Sequence, residues 1–172
     1  MSELSPAAVD AIKMAIQLEK DGRAFFEEAA QKTENALGKK MFETLAKDEI
    51  EHLHTFQRIF GTITEEGNWE ELARKRPKIG KVPVFEGKRD EQKAVNPGEL
   101  DALRKAMNIE KEAIDFFRKA AEETEDPIAK QIFTRIRGEE EYHYDYLQAQ
   151  HDALSHSGLW YDIAEFRMDG TF

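Results

Sequence analysis

Two glutamates, each followed three residues later by a histidine, are the side chains in this sequence best suited to chemistry: Glu49 with His52, and Glu140 with His143. On a helix that spacing puts both members of a pair on one face about one turn apart, which is chelating geometry. Glu19 and Glu110 fall in the middle of otherwise apolar helical faces, flanked by Ile12, Ala15, Ile16 and Phe26 in one case and by Leu103, Met107, Ile114 and Phe117 in the other. A carboxylate there meets a severe desolvation penalty unless it is paired, protonated or bound to metal. Four inward glutamates and two inward histidines answer that problem together, because two divalent ions would offset four negative charges. Glu49 and Glu140 are placed to bridge, Glu19 and Glu110 to bind one ion each, and His52 and His143 to complete the two shells. Oxygen and nitrogen ligands without sulfur suit iron or manganese better than a structural zinc site, which normally closes with four ligands.

A Glu three residues before a His arises easily by chance among 35 acidic residues, so one pair alone would carry little weight. The second pair is not independent of the first. Ile12 to Glu34 laid over Leu103 to Glu125 matches at 9 of 23 positions with a constant offset of 91, and the same offset superposes Phe42 on Phe133, Glu49 on Glu140 and His52 on His143. Amphipathic periodicity produces some recurring Ala, Glu and Phe, but it does not place a His at the right distance from a Glu twice. Two related halves, each contributing the same set inward, follow from the repeat. Asp21, Glu51, Glu112, Glu139 and Glu141 point away from these faces and read as solvated surface or as partners that hold a ligand imidazole in its tautomer. His54, His151 and His156 lack a matched Glu and read as surface residues; of Tyr142, Tyr144 and Tyr146, only Tyr144 is expected to approach the core.

The elements that must position these side chains are long helices, since Gly and Pro are scarce where apolar residues recur at three and four. The first is expected over about 6–34, with Ser5 as cap and Pro6 at the first helical position, and the second over about 38–60 after a turn marked by Asn35 and Gly38. Asn96-Pro97 and Asp126-Pro127 open a third helix, ending near Glu125, and a fourth, ending near Leu154. Short connections make each half an antiparallel hairpin, about 6–60 and 97–154. Pro77, Gly80 and Pro83 interrupt the segment 61–96, which reads as a long crossover with a short turn at Trp69 to Ala73. The tail 155–172 carries Leu159, Trp160, Tyr161, Ile163 and Phe166, too apolar to be a free extension, and is expected to pack on the bundle or on a second subunit.

The 172 residues suffice for one all-α domain, 1–172, with a sizeable core. No Cys is present, which removes disulfides, thiolate metal sites and cysteine catalysis. A net charge of -10 argues against a dedicated nucleic-acid binder, the run from Arg74 to Lys81 notwithstanding. No leader pattern and no apolar stretch of roughly 18 residues occurs, so a cytoplasmic protein without a membrane span is the expectation.

Glu19, Glu49-x-x-His52, Glu110 and Glu140-x-x-His143 together resemble the di-iron site of the ferritin-like superfamily. The segments Ile16-Gln-Leu-Glu19-Lys-Asp-Gly-Arg-Ala-Phe-Phe26 and Met107-Asn-Ile-Glu110-Lys-Glu-Ala-Ile-Asp-Phe-Phe117 are most similar to the rubrerythrin branch, and the resemblance spans about 8–154. It implies an antiparallel four-helix bundle, two Fe ions per chain with Mn as the alternative, and the same six residues as the catalytic set. It also implies a homodimer or small homo-oligomer, reduction of peroxide or dioxygen, and an external electron donor. The alternative within the superfamily is a ferroxidase that stores or sequesters iron. Two departures stand out. The rubredoxin-like Cys pairs are absent, and Ala113, with Gly22 as its repeat mate, stands where rubrerythrins tend to carry an extra carboxylate.

Overall fold

The computed structural model describes residues 5–61 and 97–160, which form four helices. Helix α1 spans Pro6–Lys32, α2 spans Ala36–Phe60, α3 spans Pro97–Glu123 and α4 spans Pro127–Ser157. The Trp69 to Ala73 turn, the basic run, and the tail residues Tyr161, Ile163 and Phe166 lie outside the described residues. Among those described, no helix is long and apolar enough to cross a membrane.

Local chemistry sets the helix ends. The Ser5 side chain accepts the Ala8 amide at 3.2 Å, and Asp126 accepts the Ala129 amide at 2.8 Å. Each cap precedes a proline, whose missing N–H needs no partner in the first turn. Asn35 accepts the amides of Leu37 and Gly38, which starts α2 two residues earlier than the sequence suggested. Gly38 therefore lies inside the helix, and its role is steric: a Cβ there would meet the Trp160 ring at 2.8 Å. At the far end of α4, Gly158 adopts the left-handed conformation with φ 69° that commonly terminates helices.

Short links make α1 with α2, and α3 with α4, two packed antiparallel hairpins, and α1 also packs on α3. The bundle is thus the four-helix architecture expected from periodicity. Its interior is divided into two apolar clusters. One gathers Phe26, Phe42, Leu45, Leu103 and Leu147; the other gathers Ile16, Phe56, Phe117, Phe133 and Ile136. On every helix the two clusters are separated by the positions of Glu19, Glu49 and His52, Glu110, or Glu140 and His143, so one polar layer crosses an otherwise apolar core. The Phe56, Phe117 and Phe133 rings, with centroids 6.1–6.4 Å apart, form part of the second cluster.

The tail begins by folding back on the bundle. Trp160 is buried, edge-on to Phe42 at 6.3 Å, and its Nε1–H donates to Glu99 at 3.3 Å.

Candidate metal centre

Each helix contributes to the polar layer through the residues that its apolar stripe interrupts. Glu19 comes from α1, Glu49 and His52 from α2, Glu110 from α3, and Glu140 and His143 from α4; all are at most 4% exposed. Their ligand atoms fall into two groups. Glu19, Glu49, His52 and Glu140 form one, and Glu49, Glu110, Glu140 and His143 the other, with the atoms of each group within 4.8 Å of one another. Adding 91 to every number of the first group, and returning Glu140 to Glu49, gives the second. Glu49 and Glu140 belong to both groups, so they stand where a bridge between two ions would have to be.

Both imidazoles turn Nδ1 toward this cluster. His52 Nδ1 lies 3.1 Å from Glu19, 3.2 Å from Glu140 and 3.5 Å from Glu49. His143 Nδ1 lies 2.9 Å from Glu140, 3.6 Å from Glu110 and 4.0 Å from Glu49. The two rings face each other at an interplanar angle of 27°, with centroids 6.1 Å apart. The outer nitrogens cross between hairpins: His52 Nε2 donates to Glu139 at 2.8 Å and His143 Nε2 donates to Asp48 at 3.2 Å. A proton held at Nε2 leaves the Nδ1 lone pair directed at the cluster.

The electrostatics are those of a site built for positive charge. Burial pushes the carboxyls of Glu19, Glu49 and Glu110 above the usual range, and the charge of Glu140 adds to the effect on all three. Burial acts the same way on Glu140, but hydrogen bonds from His143 and His52 outweigh it and hold that carboxyl below the usual range. For the imidazoles burial disfavours the charged form, yet Glu19 and the hydrogen-bonded carboxylates raise His52 well above its ordinary value. Hydrogen bonds to Asp48 and Glu140 likewise raise His143 to about 10 despite its burial. The two imidazoles, favoured in their charged form by these neighbours, are thus the local counter-charge for four crowded carboxyl groups. They do not suffice: Oε1 of Glu19 and Oε1 of Glu110, repeat mates, are buried without a hydrogen-bond partner. Unpaired buried carboxylate oxygens are costly, and hard divalent cations are the ligand their chemistry fits.

The family model described as Rubrerythrin matches residues 10–150, a span that includes all six of these residues. The chain belongs to the rubrerythrin family. Two solved structures share the fold. The crystal structure of a two-domain protein from Anabaena variabilis ATCC 29413, containing DJ-1/ThiJ/PfpI-like and ferritin-like domains, superposes with a TM-score of 0.70 at 15% identity, covering 92% of this chain and 43% of that one. Hypothetical protein Pfu-1136390-001 from Pyrococcus furiosus gives a TM-score of 0.63 at 23% identity over 86% of this chain and 90% of that one. At these identities the likeness concerns the fold. The protein of Bacillus subtilis (strain 168) named "Uncharacterized protein YhjR" is 32% identical over 105 residues, a match that spans 61% of this chain and 59% of that relative.

One expectation from the sequence is corrected. Tyr146, not Tyr144, is the tyrosine in the core, because it lies one turn beyond His143 on the same face, whereas Tyr144 is rotated away and only half-buried. Glu139, read as surface or as a partner of an imidazole, has the second role, and its mate Asp48 was missed. The offset of 91 that relates the inward residues relates Asp48 to Glu139 as well, so the signal was present in the sequence. Glu51, Glu112 and Glu141 are exposed as expected, and His54, His151 and His156 lie apart from the cluster.

Proposed function

We propose that the six-residue layer holds a pair of iron ions and that this protein is a di-iron oxidoreductase reducing hydrogen peroxide or dioxygen. The observation that carries the reading is the pair of four-residue ligand groups that share Glu49 and Glu140 and map onto each other through the repeat. In it Glu19 and Glu110 would each hold one ion, Glu49 and Glu140 would be available to both, and His52 and His143 would offer Nδ1. When bound, the metal pair supplies two electrons to the oxidant, one from each ion.

The chain's own contribution is geometric and electrostatic. Asp48 and Glu139 hold the two imidazoles in the tautomer that frees Nδ1. The apolar clusters above and below the layer exclude bulk water, which strengthens every charge interaction inside it. The carboxyls of Glu19, Glu49 and Glu110 and the two imidazoles would release their protons to solvent on taking up the ions. Reduction of one peroxide to two waters consumes two protons and two electrons; with no Cys in the chain, the electrons come from a donor outside the bundle.

Anaerobic loading with ferrous iron, followed by separate mixing with peroxide and with dioxygen under stopped-flow absorbance, tests the proposal. Faster oxidation by peroxide than by dioxygen is expected. Preferential reaction with dioxygen, accompanied by accumulation of ferric mineral, would favour the ferroxidase alternative.

A further inference from the structure

The repeat that places the ligands is broken on the outer side of one histidine. A cleft of about 210 Å³ lies between α2 and α4, lined by His52, Thr55, Arg58, Ile59, Arg135 and Glu139, among others. Its inner end is the His52–Glu139 pair; its rim includes Ile128 and Arg135, both exposed. The repeat positions beside His143 carry different side chains, the first of them larger. Tyr146 is the repeat mate of Thr55 and Gln150 that of Ile59. Both are buried, and Gln150 Nε2 donates to the Tyr146 hydroxyl at 3.4 Å. A phenol ring therefore stands on the His143 side where the His52 side has a threonine.

We propose that this cleft is the outer part of the route by which peroxide reaches the polar layer, closed at its inner end by the His52–Glu139 hydrogen bond, which must part for passage; access is then one-sided in a site whose ligands are two-fold related, and the inference rests on the di-metal reading above. The lining favours a small, neutral, polar molecule. Thr55 and Glu139 offer hydrogen bonds, and the isoleucine wall leaves room without binding tightly. It disfavours a cation: Glu139 already accepts from His52 Nε2 and from Arg135 Nε at 2.8 Å each, and Arg58 adds positive charge.

Thr55→Tyr installs the repeat mate and closes the cleft. In the wild-type and variant proteins loaded with cobalt(II), azide association is followed by the change in the visible absorption bands, and in the ferrous proteins peroxide oxidation is followed in parallel. The closed variant is expected to retain two metal ions per chain while both rates fall at least about tenfold. Arg58→Glu, an exposed change without a folding cost, is expected to slow the anionic azide about threefold and to slow neutral peroxide less. A Thr55→Tyr protein with two metals and unchanged rates overturns the route. So does an azide rate insensitive to Arg58→Glu, which decides the matter if Thr55→Tyr fails to fold or to load. A wild-type protein that takes up fewer than two ions contradicts the di-metal reading instead.

Discussion

His143 donates through Nε2 to Asp48 on the other hairpin, 3.2 Å away, while its Nδ1 faces Glu140 at 2.9 Å. With the matching bond from His52 to Glu139, each hairpin fixes the imidazole of its partner, so the site is assembled only when the hairpins dock.

Removing those acceptor charges should weaken metal binding without abolishing it. Asp48→Asn and Glu139→Gln are each expected to lower affinity by about 10- to 100-fold, with stoichiometry restored at saturating metal. Competition titration against a chelator of known affinity measures this. Unchanged affinity in both variants would mean that the crossing bonds do not position the rings.

The metal-free protein should lose stability as pH rises. His52 and His143 have folded values above their ordinary 6.5, so their stabilisation is complete below that value and is lost on the way up, to about 10 for His143. Glu19, Glu49 and Glu110, raised from 4.5, act in the same direction above that value. Glu140 and Glu139 are lowered, Glu139 to about 2, so their contribution is present above 4.5 and is lost only as pH falls toward that figure. Thermal scans of the metal-free form should therefore show Tm falling between pH 6.5 and 10. Metal-loaded protein should resist that fall, because the ions favour the deprotonated ligands.

Two buried helical glycines should respond differently to alanine. At Gly22 an added Cβ would sit 3.5 Å from the Glu49 carboxyl carbon, an ordinary contact. Gly22→Ala should gain roughly 0.5–1 kcal/mol of helix propensity and keep its metal. At Gly38 the Cβ would lie 2.8 Å from the Trp160 ring and 2.9 Å from Thr33. Overpacking costs about 1–3 kcal/mol, which should cancel or exceed the same propensity gain. Trp160 emission, read with Trp69 replaced by Phe, should shift to the red in Gly38→Ala; an unshifted spectrum would show that the indole keeps its seat.

Much of this arrangement was legible in the sequence for identifiable reasons. Pro6, Pro127 and the capping side chains mark helix starts chemically, and a Glu at position 19 or 110 inside an apolar stripe has few physical excuses. The repeat then linked the separate stripes into one layer. What single-helix patterns do not contain is the rotation of one hairpin against the other: the repeat pairs Asp48 with Glu139, but the contact of Asp48 with His143 is made only when α4 docks. The seat of Trp160 on Gly38 is likewise tertiary: the glycine reads locally as a turn residue, and only the returning chain shows why a side chain is excluded. Tyr146 follows helical geometry and required only the one-turn step from His143.

Metal content per chain is the most direct test of the shared Glu49 and Glu140. Wild-type protein loaded anaerobically with ferrous iron and desalted should retain about two ions, as expected of a dinuclear carboxylate bundle. The Glu49→Ala/Glu140→Ala double variant, checked for helicity, should retain neither the pair nor its optical signal. A folded double variant that still carries two ions would contradict the assignment of this layer as the metal centre.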